Sequence, residues 1–218
     1  MTRLIAWTPV AGLVAGTAIM AFHPGVAIAE PRLSVPIPFA QAAKYTIDPQ
    51  HAGIYFEIEH LELSKVTGRF NKFNGKIYEH GPDLTKARVE FTAEAASIDT
   101  GIGPRDDHLR TADFFEVAKY PTLTFKSTGV VKKGRGYVAT GDLTIKGKTR
   151  QIAIPFQHFG PKKMTVGEDA TRIGIRCEPV VLKRSDFGVG AQFKLPDGTL
   201  GASDEVTVRI SFEGLLDK

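Results

Sequence analysis

From Ile54 onward, apolar and polar residues alternate with a period of two. Ile54, Phe56, Ile58 and His60 share one parity, and Tyr55, Glu57 and Glu59 share the other. Successive side chains of a strand point to opposite faces, so the pattern predicts a strand with one buried and one wet face. The alternation returns as Val89, Phe91, Ala93 and Ala95 against Arg88, Glu90, Thr92 and Glu94. It returns again as Ile152, Ile154 and Phe156, and as Ile173, Ile175 and Cys177 against Arg172, Arg176 and Glu178. The last run sets Val206, Val208, Ile210 and Phe212 against Thr207, Arg209, Ser211 and Glu213. Half-buried strands of this kind belong to antiparallel sheets.

The connections agree with that reading. Glycine-bearing turns at 133–136 and 147–148 separate strand-like runs and suit hairpins. Phe70 and Phe73 are three apart and cannot share a face in regular pleating, which predicts a β-bulge at Asn71 and Lys72. One segment departs from the alternation. Pro104 at a first helical position, followed by Asp106 and Asp107, predicts a short helical segment near residues 103–111.

About eight strands, each with one apolar face, are best satisfied by closing the sheet, because closure removes exposed edges. The fold class is therefore all-β: a single antiparallel barrel over residues 43–218. An eight-stranded interior can be filled by side chains or hold one small ligand. Periodicity does not choose between the two.

Residues 1–42 read differently. Arg3 is followed by a stretch, 4–22, without charge, and small-residue cleavage sites end at Ala29 and Ala42. This is the pattern of a secretory signal peptide followed by a proline-bearing spacer, with cleavage after Ala42 or after Ala29. The predicted location is periplasmic or secreted, with no stable membrane insertion after cleavage. An uncleaved anchor is the alternative, since the uncharged stretch is close to the roughly 20 residues that span a bilayer.

The formal charge of +4 over 218 residues is too small to point to nucleic acid. Cys177 is the only cysteine, so the core must hold the fold without an internal disulfide. It shares parity with Ile173 and Ile175, on an apolar face where a thiol stays protonated. There is no Gly-x-Ser-x-Gly elbow, and Gly101-Ile102-Gly103-Pro104 lacks the third glycine of a nucleotide loop. His51, His60, Asp106, Asp107 and His108 raise the question of a metal. His51 and His60 differ by an odd number and face opposite sides of a continuous strand, and the adjacent Asp106, Asp107 and His108 diverge around a helix, so no metal site is expected.

Several stretches carry a resemblance: Tyr45-Thr46-Ile47-Asp48, Phe56-Glu57-Ile58-Glu59-His60-Leu61, Val66-Thr67-Gly68-Arg69-Phe70, Ser97-Ile98-Asp99-Thr100 and Arg105-Asp106-Asp107-His108-Leu109-Arg110. Asp113-Phe114-Phe115, Tyr120-Pro121, Gly141-Asp142-Leu143-Thr144 and Arg184-Ser185-Asp186-Phe187-Gly188 continue it. In order and spacing the chain resembles the YceI family from about Lys44 to its C-terminus. The resemblance implies a lipocalin-like eight-stranded barrel whose pore holds a polyisoprenoid or similar long-chain amphiphile, with a quinone among the candidates.

On that basis Phe56, Ile58, Phe70, Phe91 and Phe125 are the expected apolar lining, with Phe114 and Phe115 closing one end. The alternative is that they fill a solid core. Arg105 and His108, three apart on the short helix, and His60, sharing parity with Phe56, are the candidates to meet a polar head group. Surface ion pairing of Arg105 with Asp106 or Asp113, and a structural role for His60, are the competing assignments. No tightly held cofactor is expected apart from the lipid or quinone itself, no catalytic residue is assigned, and a homodimer is compatible with this reading. Two further functions stay open: an enzyme acting on an isoprenoid lipid with His60, His108 and Asp106 as acid–base groups, and a partner module of a membrane cytochrome.

Overall fold

The structure, a computed structural model, describes residues 42–218 except 166 and 168. The predicted leader, its spacer and both cleavage positions lie outside the described residues. The strands are β1 (Ala43–His60), β2 (Ser64–Phe70), β3 (Phe73–Glu79), β4 (Arg88–Glu94), β5 (Ile98–Asp99) and β6 (Thr122–Lys133). They continue as β7 (Gly136–Ile145), β8 (Lys148–Met164), β9 (Ala170–Cys177), β10 (Val180–Lys183) and β11 (Ala202–Leu216). A single α-helix among the described residues, α1 (Gly103–Arg110), forms where proline and first-turn acids predicted it.

Hydrogen bonding runs β10-β11-β9-β8-β7-β6-β4-β3-β1-β2-β5, and β11 also pairs with β1, which closes the sheet. All of these pairings are antiparallel. β2 and β3 follow one another along β1, and β9 and β10 follow one another along β11. The segments thus make eight staves, with the two-residue β5 continuing the β4 stave alongside β2. The predicted eight-stranded antiparallel barrel is the observed architecture. The regular strand does break at Asn71 and Lys72, between the buried Phe70 and the half-buried Phe73, though as a gap between β2 and β3 rather than as the expected bulge within one strand. The turns at Gly134 and Gly147 take positive φ, which glycine adopts without a Cβ penalty.

Inward parity follows the sequence pattern. Ile54, Phe56 and Ile58 face the lumen, whereas Tyr55 on the opposite face is 49% exposed. Buried apolar residues gather as two clusters rather than one. Tyr45, Ile47, Ile77, Val130, Ala139, Phe156, Ile173, Ile175 and Phe212 pack at one end, and Ile54, Phe70, Ala93 and Ile98 pack toward α1.

The seam between β1 and β11 carries an ionic clasp. Ile47 faces Gly214 while Ala52 faces Phe212, so β1 bulges outward over residues 48–51. Within the bulge Asp48 is 7% exposed. Its Oδ2 accepts from Arg172 Nη1 of β9 at 2.7 Å and lies 2.7 Å from His51 Nδ1, and its Oδ1 accepts from Gln50 N at 3.0 Å. Arg172 Nη1 also reaches Glu213 Oε2 of β11 at 3.0 Å, so one guanidinium ties three staves together. Burial pushes the Asp48 carboxyl upward, but the hydrogen bonds from Arg172, His51 and Gln50 outweigh it and hold it at about 2.

A carboxyl lowered on folding contributes stability that is complete above its unfolded value near 3.8 and is lost as pH falls toward 2. The barrel should therefore lose on the order of 1 kcal/mol between about pH 4 and pH 2, after allowance for screening by nearby water. Asp48→Asn should remove that component, being less stable than the parent at pH 7 and indistinguishable from it near pH 2. Denaturant midpoints at the two pH values check this. An equal loss in parent and variant between them would contradict it.

Candidate ligand-binding cavity

The residues whose parity turns them inward enclose a cavity of about 850 Å³, toward the upper end of the roughly 300–1,000 Å³ typical of small-molecule sites. Its wall is almost entirely aliphatic and aromatic, supplied by every stave. Phe56 and Phe70 meet with ring centroids 5.9 Å apart, and Phe115 packs edge-on against Phe70 at 5.9 Å. Phe91, Phe125, Ile154, Val208 and Ile210 continue the lining along the barrel.

Two segments cover the α1 end. The first is α1 with the turn that follows it. Asp106 is buried and accepts from the backbone N of Thr100 at 2.9 Å and from its hydroxyl at 2.5 Å. Arg105 Nε donates to Thr100 Oγ1 at 2.7 Å and its Nη2 to the Thr100 carbonyl at 2.9 Å. Arg110 donates to the carbonyls of Ala96 and Ile98, both at 2.9 Å. These bonds pin the helix to the strand before it and turn Leu109, Phe114 and Phe115 over the opening.

The second cover is the segment after the 3₁₀ turn Arg184–Phe187. The Arg184 side chain is buried and donates to the carbonyls of Val189, Ala191, Ala202 and Ser203 at 2.9–3.2 Å. Its donors are met by backbone, so it organises the loop. Gly190 at φ 72° passes so close to Phe114 and Arg184 that a Cβ there would collide with both, which lets the two covers meet. Phe193, 65% exposed, stands at the rim above Gly201.

All ten residues proposed from the sequence stand on this cavity: Phe56, Ile58, His60, Phe70, Phe91, Arg105, His108, Phe114, Phe115 and Phe125. Their settings differ. His60 and His108 are exposed at the rim, His108 with Nε2 3.0 Å from Asp113 Oδ2 and its ring edge-on to Phe114 at 5.0 Å. Arg105 pairs with neither Asp106 nor Asp113 but holds Thr100. Among the described residues no three His, Cys, Asp or Glu side chains gather closely enough to hold a metal ion.

Sequence reasoning passed over the polar pair at the far end. His158 Nε2 lies 2.8 Å from Glu79 Oε1, with the side chains only 9% and 8% exposed, and both line the cavity. The signal was present, because Glu79 continues the inward parity of Ile77, and His158 that of Ile154 and Phe156. Nearby Tyr45 is buried, and its phenol is pushed upward by that burial first and then by the charge of Glu79.

Comparison with known proteins places this geometry. The model of the YceI-like domain matches residues 45–214. The chain belongs to the YceI-like family. Protein YceI of Escherichia coli is 37% identical over 186 residues, covering 82% of this chain and 90% of that protein. A UPF0312 protein of Vibrio cholerae is 37% identical over 186 residues, with 82% and 91% covered. Among solved structures, a Campylobacter jejuni YceI protein is 28% identical with a TM-score of 0.61, over 73% of this chain and 90% of that one. Burkholderia cenocepacia BcnA shares the fold at 23% identity and a TM-score of 0.66, over 77% and 98%. So does a polyisoprenoid binding domain from Saccharophagus degradans, at 18% identity and a TM-score of 0.56, over 79% and 98%.

The YceI-like barrel contains one thiol, and burial pushes Cys177 up to about 12. Thiolate is the reactive form, so iodoacetamide at pH 8 should label folded Cys177 about a thousandfold more slowly than the urea-unfolded chain. Intact-mass kinetics read the ratio. Comparable rates would show that the thiol is not shielded in this way.

Proposed function

We propose that this YceI-like protein is an exported, non-enzymatic carrier that holds a long-chain isoprenoid lipid inside its barrel. The observation that carries the reading is the apolar cavity of about 850 Å³. Eight staves can close around side chains alone, so an interior left open is a feature to be explained. Burying a hydrocarbon contributes roughly 0.8 kcal/mol per methylene removed from water, so a chain of several isoprene units binds firmly even after the cost of ordering it.

Two further observations support it. A neighbour of the same fold is a polyisoprenoid binding domain, and an isoprenoid quinone combines the same kind of tail with a compact polar head. The charge-free stretch 4–22, followed by Ala40-Gln41-Ala42, supports export to the periplasm. The acid–base candidates read from the sequence lend catalysis little support: Asp106 is taken up by Thr100, and His108 faces Asp113 at an exposed position.

Protein purified from its host without detergent, then extracted into organic solvent, should release a long-chain amphiphile detectable by mass spectrometry in near-stoichiometric amount. The intact protein in the same preparation should have the mass of a chain starting at Ala43. Repeatedly empty extracts from folded protein would overturn the carrier reading, and a full-length chain held in the membrane fraction would overturn export by cleavage.

A further inference from the structure

The cavity has two polar ends, and they are not equivalent. At the rim, Arg105 is committed to Thr100, while His60 and His108 are exposed to water. At the far end, the Glu79–His158 couple is enclosed. Around the closed sheet β3 and β8 are four staves apart in either direction, so these side chains come from opposite walls and meet across the lumen. Burying such a couple is costly, and an apolar pair of similar volume would brace the walls as well or better. A purely structural role leaves that cost unexplained.

The couple also has capacity to spare. Glu79 Oε2 and His158 Nδ1 make no hydrogen bond among the described residues, and no buried side-chain nitrogen or oxygen is sealed away without a partner. Both residues line the lumen, and neither atom is sealed within protein. A carboxylate oxygen accepts, and an imidazole nitrogen donates or accepts according to its tautomer. Together they suit a hydroxyl, a carbonyl or an amide. A phosphate would set its negative charge against Glu79 in a low-dielectric site.

We propose that the Glu79–His158 couple is the head-group site for a long-chain lipid with a neutral hydroxyl, carbonyl or amide terminus, which enters head first and leaves its tail toward the rim. This rests on the lipid-carrier reading and specifies its ligand. It differs from the sequence expectation, in which Arg105, His108 and His60 orient the head at the rim.

The test uses delipidated mature protein and three probes sharing one C20 isoprenoid chain: geranylgeraniol, the parent hydrocarbon, and geranylgeranyl diphosphate. Each competes with a fluorescent fatty probe. The parent protein should prefer the alcohol to both others by about tenfold. The double variant Glu79→Leu, His158→Leu should lose that preference while binding the hydrocarbon within about twofold of the parent, a split that a merely structural role would not produce. Glu79→Gln, which keeps the shape, should retain alcohol binding within about threefold and gain diphosphate binding, and it decides the matter if the double variant fails to fold. Tightest binding of the diphosphate by the parent, or an alcohol preference that survives the double variant, would overturn the proposal and leave the carrier reading intact. Failure of all three probes to bind would overturn the carrier reading itself, and the proposal with it.

Discussion

Everything in this molecule depends on the pairing of β1 with β11. That ladder turns a sheet with two edges into a barrel with none, and only a closed sheet gives its apolar parity an inside. The seam is also where the backbone is least regular, because β1 bulges between Ile47 and Ala52. Asp48, buried in the bulge, draws Arg172 from β9, and Arg172 reaches Glu213 on β11. The charge cluster lies where a register slip would open the barrel, and it joins three staves rather than two.

Closure leaves the use of the interior to the side chains that point inward. Here the large residues are not spread evenly. Phe56, Phe70 and Phe115 pack against one another near the helical cover, and Phe156 and Phe212 join the cluster at the opposite end. Small residues face the lumen in both clusters, Ala93 near the helical cover and Ala139 at the opposite end. Packing gathered into two clusters stabilises the wall while leaving the lumen open. The same division separates rigid parts from adaptable ones. The covers are fixed by the Arg105, Asp106, Arg110 and Arg184 hydrogen bonds, whereas the rim histidines and Phe193 stand in solvent.

Much of this was legible from alternation alone. A strand buried on one face has no freedom in parity, so the inward set from Ile54 to Ile58 and from Val206 to Phe212 could be read directly, and so could α1 from Pro104 and its acids. Family resemblance marked Arg184 and Arg105 but not their tasks, because carbonyl partners such as Val189 and Ala202 carry no sequence signature. The Glu79–His158 pair escaped for a different reason. Each residue lies one step beyond an apolar run, and a polar residue at the end of such a run reads as the place where the strand returns to solvent. Only barrel closure shows that the two ends face each other across a lumen. The cavity itself was illegible, since a filled and an open barrel share one binary pattern and differ in side-chain volume summed over many strands.

The most direct measurement of the central claim is a crystal structure of the protein purified from its host in the absence of detergent. The account predicts continuous, elongated density running through the lumen from the helical cover by Phe115 to the neighbourhood of Glu79 and His158. A lumen collapsed onto its own side chains, or filled only by discrete waters, would contradict it.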